Sequence, residues 1–373
     1  MRSAGDFDVL RPATLADAAV LLLRPGAMPL AGGTDLMPNL RRGLHAARWI
    51  VDLGGVAEFG RIERDAAGWS LGAGVTLARL ERHAELAREL RALVQAAGAV
   101  AGPGHRTVAT LGGNLCQDTR CIHYNQSAWW REANGFCLKH GGDTCHVAPQ
   151  GQRCHAAYEG DLAAPLLAYG AEVEIVGALT PRRRVPLAAL YRDDGAAHLS
   201  LAEGELLAAV HVPHVAPGTA SAYHKARVRM AMDFPLAGVA VALRVDARGC
   251  LAALSVGISG TNSHPLRLAG TEDLLERPVD DAALHALGRL VARQVTPMRS
   301  TVTASNHRRL AAVAAAERLL GELAGLAALA PGVASARAAA RDHAPAHALD
   351  HSPDHAPAPE PTRRPAAAND ERT

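Results

Sequence analysis

The chain has 373 residues, enough for two or three domains, and six cysteines in that length exclude a disulfide-dense secreted scaffold. Its 39 Lys+Arg against 37 Asp+Glu leave a net charge of +2, which gives no general electrostatic pull toward nucleic acid or a membrane surface. No run of ~20 apolar residues is free of charge, since the best stretch, 310–330, carries Glu317, Arg318 and Glu322; residues 1–10 carry Asp6 and Asp8, so a cytoplasmic protein with no membrane or nucleic-acid partner is expected.

An Ala/Leu-rich segment from Thr14 predicts a helix with Thr14 as N-cap and Gly26 beyond its end. Strands are predicted at Met28 to Ala31, Arg48 to Leu53 and Trp69 to Val75, followed by one long amphipathic helix over Leu77 to Ala97. Residues 116 to 158 break this rhythm. They are rich in Cys, His, Gln, Asn and Trp and lack apolar periodicity, although Trp129, Trp130 and Phe136 argue against disorder. Regular structure resumes with a short helix (Leu162 to Ala168) and a strand (Ala171 to Val176). From Ser221 three strand-like runs, Ala222 to Met232, Leu236 to Val245 and Leu251 to Ser259, predict an antiparallel meander, closed by helices at Asp281 to Arg293 and Thr303 to Leu329. From Pro331 the chain is an Ala/Pro/His/Asp tail with seven prolines, expected to be disordered; Pro345 and Pro353 interrupt the four-residue spacing of His343, His347, His351 and His355.

Two paired-glycine turns, Ala31-Gly32-Gly33-Thr34-Asp35 and Thr110-Leu111-Gly112-Gly113-Asn114, would let backbone N–H groups approach a phosphate closely. Neither is a Rossmann fingerprint or a P-loop; either alone reads better as a structural turn, and only the two together bring a phosphate-bearing cofactor level with that reading. Five of the six cysteines lie between Cys116 and Cys154. Cys121, Cys137, Cys145 and Cys154, at wide single spacings, suit a [4Fe–4S] cluster wrapped by a long loop, while tetrahedral zinc and ordinary free thiols stay open. Cys116, directly after the second turn, is expected to face that turn; Cys250 reads as a small buried hydrophobe, and His123, His140, His146 and His155 as neighbours rather than ligands.

Together the two glycine motifs resemble the FAD-binding medium subunit of the xanthine oxidase (molybdenum hydroxylase) family. Gly160-Asp161-Leu-Ala-Ala-Pro165, Gly170-Ala-Glu-Val-Glu-Ile175, Lys225-Ala-Arg227, Asp233-Phe-Pro-Leu-Ala237 and Asn306-His-Arg-Arg-Leu310 extend the likeness over about residues 5 to 328. His307 stands where the family usually has an aromatic residue. Within the insertion, Thr119-Arg-Cys121, Tyr124-Asn-Gln-Ser127, Trp130-Arg131, Cys137-Leu-Lys139 and Cys145-His-Val-Ala-Pro149 resemble the β subunit of 4-hydroxybenzoyl-CoA reductase.

The resemblance implies an α+β fold: a two-part FAD-binding domain of the molybdopterin dehydrogenase type (5–217) with an iron–sulfur insertion loop (117–158), then a C-terminal flavoprotein domain (221–329) of a three-stranded antiparallel sheet and helices, before the tail (331–373). It implies an electron-transfer subunit of an oxidoreductase with no catalytic acid or base of its own. FAD would be held by Leu30, Ala31, Gly32, Gly33, Thr34, Asp35, Leu36, Thr110, Gly112, Gly113, Asn114, Asp161 and Lys225, and a [4Fe–4S] cluster by Cys121, Cys137, Cys145 and Cys154. Implied partners are a large subunit with a molybdenum cofactor, a small subunit with two [2Fe–2S] clusters, and ferredoxin as electron donor, in a dimer of heterotrimers. The implied reaction is reductive dehydroxylation of 4-hydroxybenzoyl-CoA to benzoyl-CoA in aromatic degradation. Two alternatives differ from it: the FAD subunit of an oxidative hydroxylase for another aromatic or N-heterocyclic substrate, and an assembly partner stapled by zinc without a redox role.

Overall fold

The structure, a computed structural model, describes residues 7–229 and 231–328, with side chains through residue 325; the expectation for 331–373 lies outside the described residues. Thr14 caps the first helix (Leu15–Leu22) as expected, its Oγ1 accepting from the Asp17 N–H, and this helix packs beside three parallel strands, Asp8–Leu10, Trp49–Asp52 and Ala27–Leu30, in that spatial order. A second sheet has five antiparallel strands in the order Ile62–Arg64, Gly68–Gly72, Glu205–Pro213, Glu172–Gly177, Arg183–Pro186. The single helix expected over 77–97 is three: Leu77–Arg82, Ala84–Glu89 and Arg91–Ala99. His83 leaves helical geometry at ψ 107° and accepts the Leu86 N–H on Nδ1, restarting the chain as an N-cap; Leu90, at ψ 50°, makes the second break. The apolar period survives both corners because Leu77, Leu80, Leu86, Leu90 and Leu93 are all fully buried.

The C-terminal sheet is antiparallel as expected, with strands at Ala220–Ala226, Ala237–Val245 and Leu251–Ser259 and a short fourth, Leu266–Arg267, at its edge; the first, expected to run on to Met232, ends at Ala226. Alternation along Ala237–Val245 serves two cores at once. Val239, Val241 and Leu243 face the closing helices Asp281–Gln294 and Ser305–Ala328, while Ala240 and Ala242 face the core of the N-terminal part. Small residues on that second face permit close approach: a Cβ at Gly257 would stand 1.9 Å from the carbonyl oxygen of Ala164, in the fully buried helix Ala163–Ala168.

The insertion is ordered by its own means. A two-residue antiparallel bridge closes its base, Arg120 and Ala157 exchanging N–H···O bonds of 2.7 Å in both directions. Arg131, 2 % exposed, donates to the carbonyls of Gln126 (2.5 Å) and Gly43 (3.1 Å), pinning the short helix Ala128–Ala133 to the parent fold. Leu44, Tyr124, Ala156, Cys121 and Cys154 form a small third apolar cluster, with Cys137 and Val147 against it. Among the described residues, no helix is long and apolar enough to cross a membrane.

Candidate functional site: a cleft between two glycine turns

A cleft of about 470 Å³ opens at the C-terminal end of the parallel strand Ala27–Leu30, where ligands commonly bind in sheets of this kind. Ala31, Gly32, Gly33, Thr34, Asp35 and Leu36 line one side, and Thr110, Gly112, Gly113 and Asn114 the other. Gly32 explains how the two turns meet: a Cβ there would lie 2.0 Å from the carbonyl oxygen of Val108, so only glycine lets the first turn rest on the backbone leading into the second. Gly33 adopts φ +71°, a left-handed conformation that glycine tolerates.

The two turns offer different chemistry. In the second, the Gly113 N–H is met by Thr110 Oγ1 (3.1 Å) and the Gly112 N–H by the Ala73 carbonyl (2.7 Å), while Asn114 Oδ1 accepts from the Leu162 N–H (3.0 Å). Its backbone donors from Leu111 to Asn114 are spent on holding the fold. In the first, among the described residues, no backbone carbonyl accepts from the N–H groups of Gly32, Gly33, Thr34 or Asp35. A cluster of free N–H groups suits an anion such as a diphosphate.

Sequence reasoning missed several cleft residues. Gln117, Asp118, His45 and His198 line it, and the buried Gln117 Nε2 and His198 Nε2 have no hydrogen-bond partner within the protein. Burial, and then the nearby charge of Lys139, push the His198 pKa down to about 4, so the ring is neutral at pH 7. Burial opposes ionisation of Asp118, but His45 and Lys139 outweigh it and hold the carboxyl below the usual carboxylate range. Gln117 and Asp118 directly follow Cys116, which lines the cleft as expected; His198, in the irregular stretch 191–204, carried no signal. The orphaned polar atoms and the unpaired N–H groups fit a large polar cofactor such as FAD.

Asp161 and Lys225 are brought together, away from the cleft lining. Lys225 Nζ lies 3.0 Å from Asp161 Oδ2 and donates to the Ala99 carbonyl at 3.1 Å, and Tyr223 OH donates to Asp161 Oδ1 at 2.7 Å. Both charged side chains are only 3 % exposed, and burial pushes the Asp161 pKa up against the pull of Lys225 and Tyr223. Leu30 also lies outside the lining, supporting the turn from beneath, within 3.2 Å of where a Gly33 Cβ would stand.

Cys121, Cys137, Cys145 and Cys154 surround one small space, shared with His123, His146, Tyr124 and Lys139. Burial raises the Cys121 thiol pKa and takes that of Cys154 to about 12. Among the described residues no three His, Cys, Asp or Glu side chains stand close enough to hold a single metal ion. The donor set, four sulfurs with no carboxylate, fits a soft ion or an iron–sulfur cluster. The free volume at its centre is about 10 Å³, so a cluster would have to part the four side chains.

Comparison with known proteins places this architecture. Residues 5–215 match the FAD binding domain in molybdopterin dehydrogenase, over half of the chain. The chain belongs to that family of flavoprotein subunits. Residues 221–323 of this flavoprotein match the CO dehydrogenase flavoprotein C-terminal domain. It is 32 % identical over 310 residues to the xanthine dehydrogenase FAD-binding subunit of Escherichia coli O157:H7, covering 80 % of this chain and 89 % of that one. It is 27 % identical over 289 residues to the carbon monoxide dehydrogenase medium chain of Afipia carboxidovorans, covering 75 % and 85 % respectively. The solved structure of reconstituted CO dehydrogenase from Oligotropha carboxidovorans superposes with a TM-score of 0.72 at 25 % identity, over 87 % of this flavoprotein and 99 % of that chain. These relatives are subunits of oxidoreductase complexes, and the α+β fold expected from the sequence is the one observed. The narrower likeness to 4-hydroxybenzoyl-CoA reductase rests on the residues of the insertion.

Proposed function

We propose that this flavoprotein holds FAD in the cleft and passes electrons within a molybdenum hydroxylase of the xanthine, aldehyde or CO dehydrogenase type, whose substrate, an aromatic or N-heterocyclic compound, binds on a partner subunit. The observation that carries this reading is the first glycine turn, whose N–H groups have no backbone acceptor among the described residues and whose residues line a cleft shared with buried, unpartnered polar side chains. Residues 31–36, Thr110, Gly112, Gly113 and Asn114 would hold the cofactor, with Leu30, Asp161 and Lys225 as supports behind the lining. Bound FAD would convert between two-electron and one-electron transfer; the protein's part is binding, orientation and electrostatics. The partners would be a large subunit with the molybdenum cofactor and a small subunit with two [2Fe–2S] clusters, assembled in the cytoplasm as a dimer of heterotrimers. The test is release and quantification of flavin from the purified chain: about one FAD per chain supports the reading, and an absence of flavin overturns it.

The cysteine space favours a second, more specific reading. Four cysteines from one insertion share one lining, which suits a [4Fe–4S] cluster as a one-electron relay and, with it, a ferredoxin-driven reductase of 4-hydroxybenzoyl-CoA. Iron, acid-labile sulfide and zinc measured on anaerobically purified protein decide it. Four irons and four sulfides per chain support the cluster, low redox potentials in the assembled complex support the reductase, and zinc alone returns the insertion to a structural staple.

A further inference from the structure

The start of the insertion bounds two spaces at once. Gln117 and Asp118 line the flavin cleft, and Cys121, three residues on, lines the cysteine space. Lys139 joins the two walls. It belongs to the lining of the cysteine space, yet its ammonium donates to Asp118 Oδ1 (2.5 Å), Thr119 Oγ1 (2.5 Å) and the Thr119 carbonyl (3.2 Å), and it stands 4.5 Å from the centre of the Tyr124 ring. The side chain is 5 % exposed, so all three donors are spent inside the protein. Asp118 in turn donates its N–H to Asp35 Oδ2 (2.8 Å) in the first glycine turn, and its carboxylate faces His45 Nε2 at 3.3 Å.

We propose that Lys139 is a positioning residue through which the cysteine loop sets flavin affinity. By clamping Asp118 and Thr119 it holds the adjoining Gln117 in the cleft wall, to which His198 also belongs. Both orphaned groups are uncharged, which matches the carbonyls, ring nitrogens and hydroxyls of a flavin nucleotide, while the diphosphate matches the free N–H groups of the glycine turn. The proposal rests on the FAD reading of the cleft and does not require a metal in the cysteine space.

The test is FAD affinity by fluorescence quenching on the flavin-stripped full chain, for wild type, Lys139→Met, Asp118→Asn and the double variant, each checked for a cooperative melt. Each single variant is expected to weaken FAD about tenfold or more, the scale of a lost charge-assisted contact. Because Lys139 acts through Asp118, the double variant should bind no more weakly than Lys139→Met alone. Wild-type affinity in both folded single variants, or losses that multiply in the double variant, would overturn the proposal. Should wild type itself take up no FAD, the reading of the cleft falls and the proposal with it; a wild type that binds while the variants are unchanged defeats the proposal alone.

Discussion

At the scale of single residues, charges are placed where several donors meet them. Glu205, on the cleft lining, accepts from Arg183 through both oxygens (2.5 and 2.9 Å), from Thr180 Oγ1 (2.7 Å) and from the Ala202 N–H (2.9 Å). The Arg183 hydrogen bonds, more than the opposing burial, take its pKa down to about 2. That lies below the ~4.3 of an unfolded glutamate, so the stabilisation is fully present above about pH 5 and disappears as pH falls through about 2. Glu205→Gln should therefore lower stability by about 1–2 kcal/mol at pH 7, discounted because Arg183 is partly solvated, and flatten the acid limb of the stability curve measured by urea unfolding. Asp161 and Lys225 carry a larger effect. Their side chains are buried against each other, so Lys225→Met leaves a buried carboxylate without its cation and should cost about 3–5 kcal/mol in the same assay. The resemblance placed both residues at the flavin; their mutual pairing depends on strand 220–226 lying over the segment that begins at Gly160, a tertiary fact that no local pattern records.

At the scale of elements, legibility followed periodicity. Leu251–Ser259 was readable to the residue, because alternating apolar positions between turn residues have few other solutions. The corners at His83 and Leu90 were not, since the same leucine spacing continues through both. The glycine turns were visible as motifs, but the reason for Gly32 was not, because Val108 is far away in sequence. Gly32→Ala is expected to lose FAD and to lower the melting temperature, since its methyl group would force the Val108 carbonyl away. The four cysteines were legible as a set; Gln117, Asp118 and Lys139 were not, because their importance lies in joining two walls. Cys137→Ser should remove iron if a cluster is present, and FAD binding in that variant should weaken too, because Cys137 begins the turn that carries Lys139.

At the scale of the whole molecule, the C-terminal sheet is shared between two cores, with valine and leucine on one face and alanine on the other. Every residue assigned to the cleft lies between Met28 and Leu207. A chain ending at Ala330 is therefore expected to bind FAD with the affinity of the full chain, a comparison that fluorescence titration of the two proteins settles. The bridge between Arg120 and Ala157 has a consequence for how this protein can be taken apart. The ends of the cysteine-bearing stretch already stand at hairpin distance, so the intervening residues form a cassette that a short turn could replace without lengthening or straining the parent backbone. Such an excision would separate two properties that a point substitution mixes: the fold and the cleft lining would persist, while FAD would bind more weakly for want of Lys139.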